Sequence, residues 1–89
     1  MAWTIELRAK AEKQLQKLHR KDAQRIIAFL EERLALHDNP RSLGEPLQGR
    51  LLGGYWRYRV GDYRIICDIQ DGKLIVLVVE IGHRSSVYR

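Results

Sequence analysis

At 89 residues the chain can bury one modest core, so a single small domain spanning 1–89 is expected. Apolar residues at 45% and charged residues at 30% exclude an intrinsically disordered chain, and a formal net charge of +5 favours an acidic partner. The lone cysteine, Cys67, excludes an internal disulfide and a zinc site built from cysteines. The first residues, Met1 to Glu6, lack the basic region and apolar run of a signal peptide, and Leu74–Val79 is too short to span a bilayer. A cytoplasmic protein without membrane contact is the expectation.

In chain order, Trp3, Ile5 and Leu7 alternate with polar residues and predict a first strand with one buried face. Ala11, Leu15 and Leu18 recur at helical spacing and predict a first helix. A second helix follows, with Asp22 as its N-cap and an apolar stripe of Ile26, Ile27, Leu30 and Leu34. Asp38-Asn39-Pro40 ends it, because proline cannot continue a helix. Residues 41–54 contain four of the chain's seven glycines and read as a loop, with a short extended piece near Leu47–Leu51.

The run Tyr55-Trp56-Arg57-Tyr58-Arg59-Val60-Gly61-Asp62-Tyr63-Arg64 predicts two strands joined at Gly61-Asp62, with Val60 opposite Tyr63 and Arg59 opposite Arg64. Period-two alternation then puts Arg57, Arg59 and Arg64 on one face. Trp56, Tyr58, Val60, Tyr63, Ile65 and Cys67 fall on the other. Like charges directly opposite each other destabilise a sheet. Three guanidinium groups placed together therefore call for an external anion, and phosphate matches their fork geometry. Asp68 is the one counter-charge expected on that face. Asp71-Gly72 signals a two-residue type I′ turn, and Leu74–Ile81 reads as a central strand apolar on both faces.

The resulting fold class is α+β, with a strand, two helices and a three-stranded antiparallel meander. The first strand lies beside the last, and the helices cover the Trp56/Tyr58/Ile65/Cys67/Val76/Val78 face. The other face then holds Tyr55 and the arginines against an apolar floor of Ile75, Leu77, Val79 and Ile81, an arrangement suited to a binding groove. Tyr55 and Tyr88 are the candidates for base stacking. Strict alternation from Val79 aims His83 at the arginine face and Arg84 away from it. A bulge or strand end at Gly82 would re-aim both.

Strand–helix–helix–meander order, Leu47-Gln48-Gly49, the arginine hairpin and the terminal Gly82-His83-Arg84 together resemble the RelE/ParE toxin superfamily, its RelE branch in particular. The resemblance covers essentially the whole chain. It implies a toxin that enters the ribosome and cleaves messenger RNA without a metal, and a cognate antitoxin that blocks the groove. Carried over residue by residue, the implied catalytic positions are Arg57, Arg59, Arg64, Arg84 and Tyr88, with Tyr55, Arg57, Arg59 and Arg84 binding RNA. Better-known RelE members carry lysines where Arg57 and Arg59 stand. Arginine is a poor base, which makes His83 a further catalytic candidate. The expected antitoxin is small and acidic. Its amphipathic helix would bury apolar side chains on Leu77, Val79 and Ile81 or along the helical layer. Two other functions fit the same scaffold: ParE-type inhibition of DNA gyrase by binding, and a non-catalytic protein-binding module.

Overall fold

The computed structural model describes residues 2–50 and 52–85. Five strands form one mixed sheet: β1 (Thr4–Leu7), β2 (Glu45–Pro46), β3 (Trp56–Val60), β4 (Tyr63–Gln70) and β5 (Ile75–His83). Their spatial order is β1-β5-β4-β3-β2, with β1 parallel to β5 and every other pair antiparallel. The expected meander and the place of the first strand beside the last are both present.

Between β1 and β2 run α1 (Ala9–Gln16) and α2 (Arg20–Ala28). The second helix continues as a wider helical segment over Phe29–Leu34, where Ala35 N–H reaches back to the Leu30 carbonyl at 2.9 Å. That i→i+5 bond marks a π-helical turn. Phe29, Leu30 and Leu34 are all buried there.

The core lies between these helices and one face of the sheet. Ala11, Ile26, Phe29, Leu30 and Leu34 meet Tyr58, Ile65, Cys67, Val76, Val78 and Ile81, and Trp3 joins them from the start of β1. Burial pushes the Cys67 thiol above its ordinary range, so it packs as a small hydrophobe and not as a nucleophile.

Several expectations need correction. Ile27 is 39% exposed, because it falls off the buried stripe that Ile26 and Leu30 define. His19, not Asp22, caps α2: its ring accepts the Lys21 N–H at 3.3 Å, and Asp22 lies in the first turn. The extended piece between helix and hairpin sits at Glu45–Pro46 and not near Leu47–Leu51; Leu51 itself lies outside the described residues.

The β4–β5 connection is also longer than a type I′ turn. A 3₁₀ turn, Asp71–Lys73, is followed by Leu74 at φ 53°, and Gln70 pairs with Ile75 across a four-residue loop. Left-handed backbone at Leu74, a leucine packed against the core, is what the Asp-Gly signal concealed.

A β-bulge makes the largest difference. On β5, Glu80 pairs with Ile66 and Val78 pairs with Cys67, which leaves Val79 as an extra residue. One inserted residue reverses the facing of everything after it. Ile81, expected on the open face, therefore points into the core and is 2% exposed. Beyond Val78 no β1 residue pairs with β5, and there the Gln14 side chain accepts the Ile81 N–H at 2.7 Å. Among the described residues, no helix is long and apolar enough to cross a membrane.

Candidate active site on the arginine face

The β3–β4 hairpin has the register its sequence predicts: Arg59 opposite Arg64, Arg57 opposite Ile66, Val60 opposite Tyr63. Gly61 takes φ 58°, as the first central residue of a type II′ turn requires. Arg57, Arg59 and Arg64 therefore project from the face away from the helices. Ile66 lies among them and is only 2% exposed, although among the described residues no helix covers that face. Its neighbours there are Arg57 and Glu80 across the sheet and Arg64 and Asp68 along β4, whose stems can exclude water from it.

Arg64 donates from Nη1 to the carbonyls of Tyr63 at 3.0 Å and Gly61 at 3.2 Å. These bonds fold the guanidinium back along the hairpin. Among the described residues no carboxylate lies within ion-pair distance of it.

The counter-charge expected from Asp68 comes from elsewhere. Glu45, on the short strand β2, bridges Arg57 Nη2 at 2.9 Å and Arg59 Nε at 3.2 Å, while Asp68 accepts from Gln70 Nε2 at 3.1 Å. Three contacts place β2. Buried Tyr58 donates its hydroxyl to the Pro40 carbonyl at 2.8 Å. Gly44 lies so close that a Cβ there would come within 2.7 Å of the Tyr58 ring. Arg41 forms a two-pronged ion pair with Asp71 at 2.8 and 2.6 Å and holds that carboxyl below the usual carboxylate range. Sequence reasoning missed Glu45 because its pairing with Arg57 closes a loop of irregular backbone.

Arg84 directly follows β5. Its N–H donates to the Asp62 carbonyl at 2.8 Å, and its Nε lies 3.9 Å from Asp62 Oδ1. The end of β5 is thus tied to the turn of the arginine hairpin. His83 goes the other way. The Val79 bulge, and not Gly82, sets its facing; it pairs with Tyr63 and meets that ring edge-on, centroids 5.9 Å apart. Tyr63 in turn donates to Asp22 of α2 at 3.2 Å, so His83 sits on the helical side of the sheet. Burial and the Asp22 carboxylate both raise the Tyr63 phenol above its ordinary pKa. Tyr55 is half-buried just before β3, its carbonyl accepting the Leu47 N–H at 2.9 Å. Tyr88 lies outside the described residues.

The open face thus has two ends. Arginines crowd the end near the hairpin turn, with Glu45 braced between two of them. Ile75 and Leu77, half-buried beside Gln70 and Asp68, line the far end.

Comparison with known proteins matches this chain over residues 5–88 to the ParE toxin family of type II toxin–antitoxin systems, parDE. A toxin named RelE from Mycobacterium tuberculosis is 36% identical over 85 residues, covering 96% of this chain and 84% of that protein. The crystal structure of the RelBE2 toxin–antitoxin complex from the same organism contains a chain with 27% identity and a TM-score of 0.85, covering 97% of this chain and 95% of its counterpart. An archaeal RelE–RelB complex from Pyrococcus horikoshii shares the fold at 22% identity and a TM-score of 0.73. With a match that runs from β1 past the end of β5, the chain belongs to the RelE/ParE toxin superfamily and is a RelE-like toxin of a toxin–antitoxin system.

Proposed function

We propose that the arginine face is the active site of an endoribonuclease that cleaves messenger RNA on the ribosome. The observation that carries this reading is the convergence of Arg57, Arg59 and Arg64 on one open face, with Arg84 tied to the same hairpin turn. In the reaction the ribose 2′-oxygen attacks the adjacent phosphorus and loses its proton. The bond from phosphorus to the 5′-oxygen breaks, and that oxygen gains a proton. The products are a 2′,3′-cyclic phosphate and a 5′-hydroxyl.

Arg64 and Arg84 supply permanent positive charge to the phosphorane oxygens. Arg57 and Arg59 hold flanking phosphates. They also hold Glu45, whose carboxylate can accept the 2′-hydroxyl proton, as a guanidinium cannot. His83 is reached from the helical side, which makes Glu45 the better-placed acceptor. Tyr55 offers an aromatic surface for a base and Tyr88 a phenol for stacking or proton transfer.

The partner we propose is a cognate antitoxin, as in the RelBE2 and archaeal RelE–RelB complexes. Ile81 is not available to it, so its apolar contacts fall on Ile75 and Leu77 or on the helical layer.

The 2′-hydroxyl must be turned into line with the leaving oxygen, and the face provides charge but few groups to do that. The ribosome supplies the alignment. Purified protein is therefore expected to cut message on programmed ribosomes at least ~100-fold faster than the same RNA free in solution. Similar rates on both substrates would defeat ribosome dependence. The ParE description of the matching family favours a second reading, inhibition of DNA gyrase by binding. A supercoiling assay run beside the cleavage assay separates the two.

A further inference from the structure

A cleft of about 400 Å³ opens on the helical side of the hairpin, between α2 and the end of β3. β2 pairs with Trp56 and Arg57, so among the described residues no strand covers the outer edge of Tyr58–Val60, and the cleft lies beside that edge. Arg25 and Arg33 reach it from the helix and Arg59 from β3, over a floor that includes Ala28 and Val60. The guanidinium of Arg25 lies over Gly61, where a Cβ would come within 2.9 Å of it. That of Arg33 sits 5.5 Å from the centre of the Phe29 ring.

Neither Arg25 nor Arg33 has a carboxylate within ion-pair distance among the described residues. Glu32 also lines the cleft and removes part of its positive charge, leaving an excess of two over the four charged side chains. A walled cleft with surplus guanidinium groups strengthens the local field and attracts anions.

Arg59 decides which anion. It belongs to the arginine face through its register and its ion pair with Glu45, and it also lines the cleft. The cleft and the active-site face are therefore one continuous basic surface, bent around the free edge of β3. A single-stranded backbone carries a charge at every nucleotide and can follow such a bend. We infer that the Arg25/Arg33 cleft is a second RNA-binding subsite, which takes a phosphodiester and its nucleoside flanking the segment on the arginine face. The inference rests on the RNA reading above. Arginines would contact the phosphate, and the apolar floor would receive sugar or base.

The test uses the full chain and a non-cleavable 2′-O-methyl oligoribonucleotide of about 12 nucleotides, with affinity measured between about 50 and 200 mM salt. An Arg25→Gln/Arg33→Gln variant is expected to lower the salt slope by about 0.7, the share of the one phosphate the cleft holds, and to weaken binding about tenfold at low salt. Arg25→Lys/Arg33→Lys keeps the charge and should keep the slope. Glu32→Gln should tighten binding, which leaves the inference testable if the double glutamine variant does not fold.

An unchanged slope in the double glutamine variant, with wild-type RNA binding intact, overturns the subsite and leaves the active-site reading standing. Loss of antitoxin binding with RNA binding unchanged also overturns it and marks the cleft as a protein-docking surface. A wild-type protein that shows no salt-dependent RNA binding overturns both readings together.

Discussion

Arg64→Ala is expected to lower message cleavage by about 10²–10³-fold while shifting the thermal midpoint by no more than about 5 °C. The two halves of that expectation have separate origins. Arg64 directly faces Arg59 across the hairpin, and among the described residues its side chain donates to the carbonyls of Tyr63 and Gly61. Removing it loses two modest bonds and relieves like-charge repulsion, and these effects on folding oppose each other. In the proposed reaction, by contrast, Arg64 stabilises the phosphorane together with Arg84, and its loss leaves that charge half-met. Arg64→Lys should recover part of the rate, because charge remains but the two-pronged geometry is lost. Growth arrest on induction and a melting curve, taken on the same variants, check both halves. A fall in midpoint of more than about 10 °C would mean that Arg64 works in folding, and the facing argument would fail with it.

The second large effect belongs to stability. Tyr58 is 1% exposed, packs its ring 5.7 Å from that of Phe29, and donates its hydroxyl to the Pro40 carbonyl. Tyr58→Ala empties the middle of the core and leaves that carbonyl without its donor. The expected cost is about 3–5 kcal/mol, a large share of the stability of a domain this size. The corresponding fall in midpoint is more than about 10 °C. Tyr58→Phe isolates the hydroxyl and should cost about 1–2 kcal/mol. Because Pro40 precedes the segment that carries Glu45, Tyr58→Phe should also lower cleavage at temperatures where the protein is still folded. Denaturant titration of both variants, paired with cleavage rates, measures this. Equal stability of Tyr58→Phe and wild type would remove the hydroxyl from the account.

These two residues also show why parts of the molecule were legible in the sequence. Tyr58 and Arg64 lie in a stretch where polar and apolar residues alternate strictly and Gly61 fixes the turn, so facing follows by counting. β5 gives no such contrast. Ile75 to Val79 is apolar at every position, so a one-residue bulge at Val79 leaves no mark in the pattern. Counting along β5 therefore puts Ile81 on the wrong face, and it leaves the facing of His83 open until the bulge is located.

Glu45 was hidden differently. Two residues of strand separated from their partner by a glycine-rich loop have no periodicity, and what places them is Tyr58, Gly44 and the Arg41–Asp71 pair. The cap of α2 was a smaller case of the same kind. Asp22 has the favoured side chain, but His19 occupies the position where backbone N–H groups are open. Local preference yielded to where the chain actually entered the helix.

The central claim is that the arginine face drives attack by a ribose 2′-oxygen on its own phosphate. Its most direct test is a pair of messages on programmed ribosomes, identical except for a single 2′-deoxy nucleotide at the mapped cleavage position. The account predicts cutting of the all-ribose message, with a 2′,3′-cyclic phosphate upstream and a 5′-hydroxyl downstream, and no cutting at the deoxy position. Equal cutting of both messages, or inhibited gyrase with both messages intact, would contradict it.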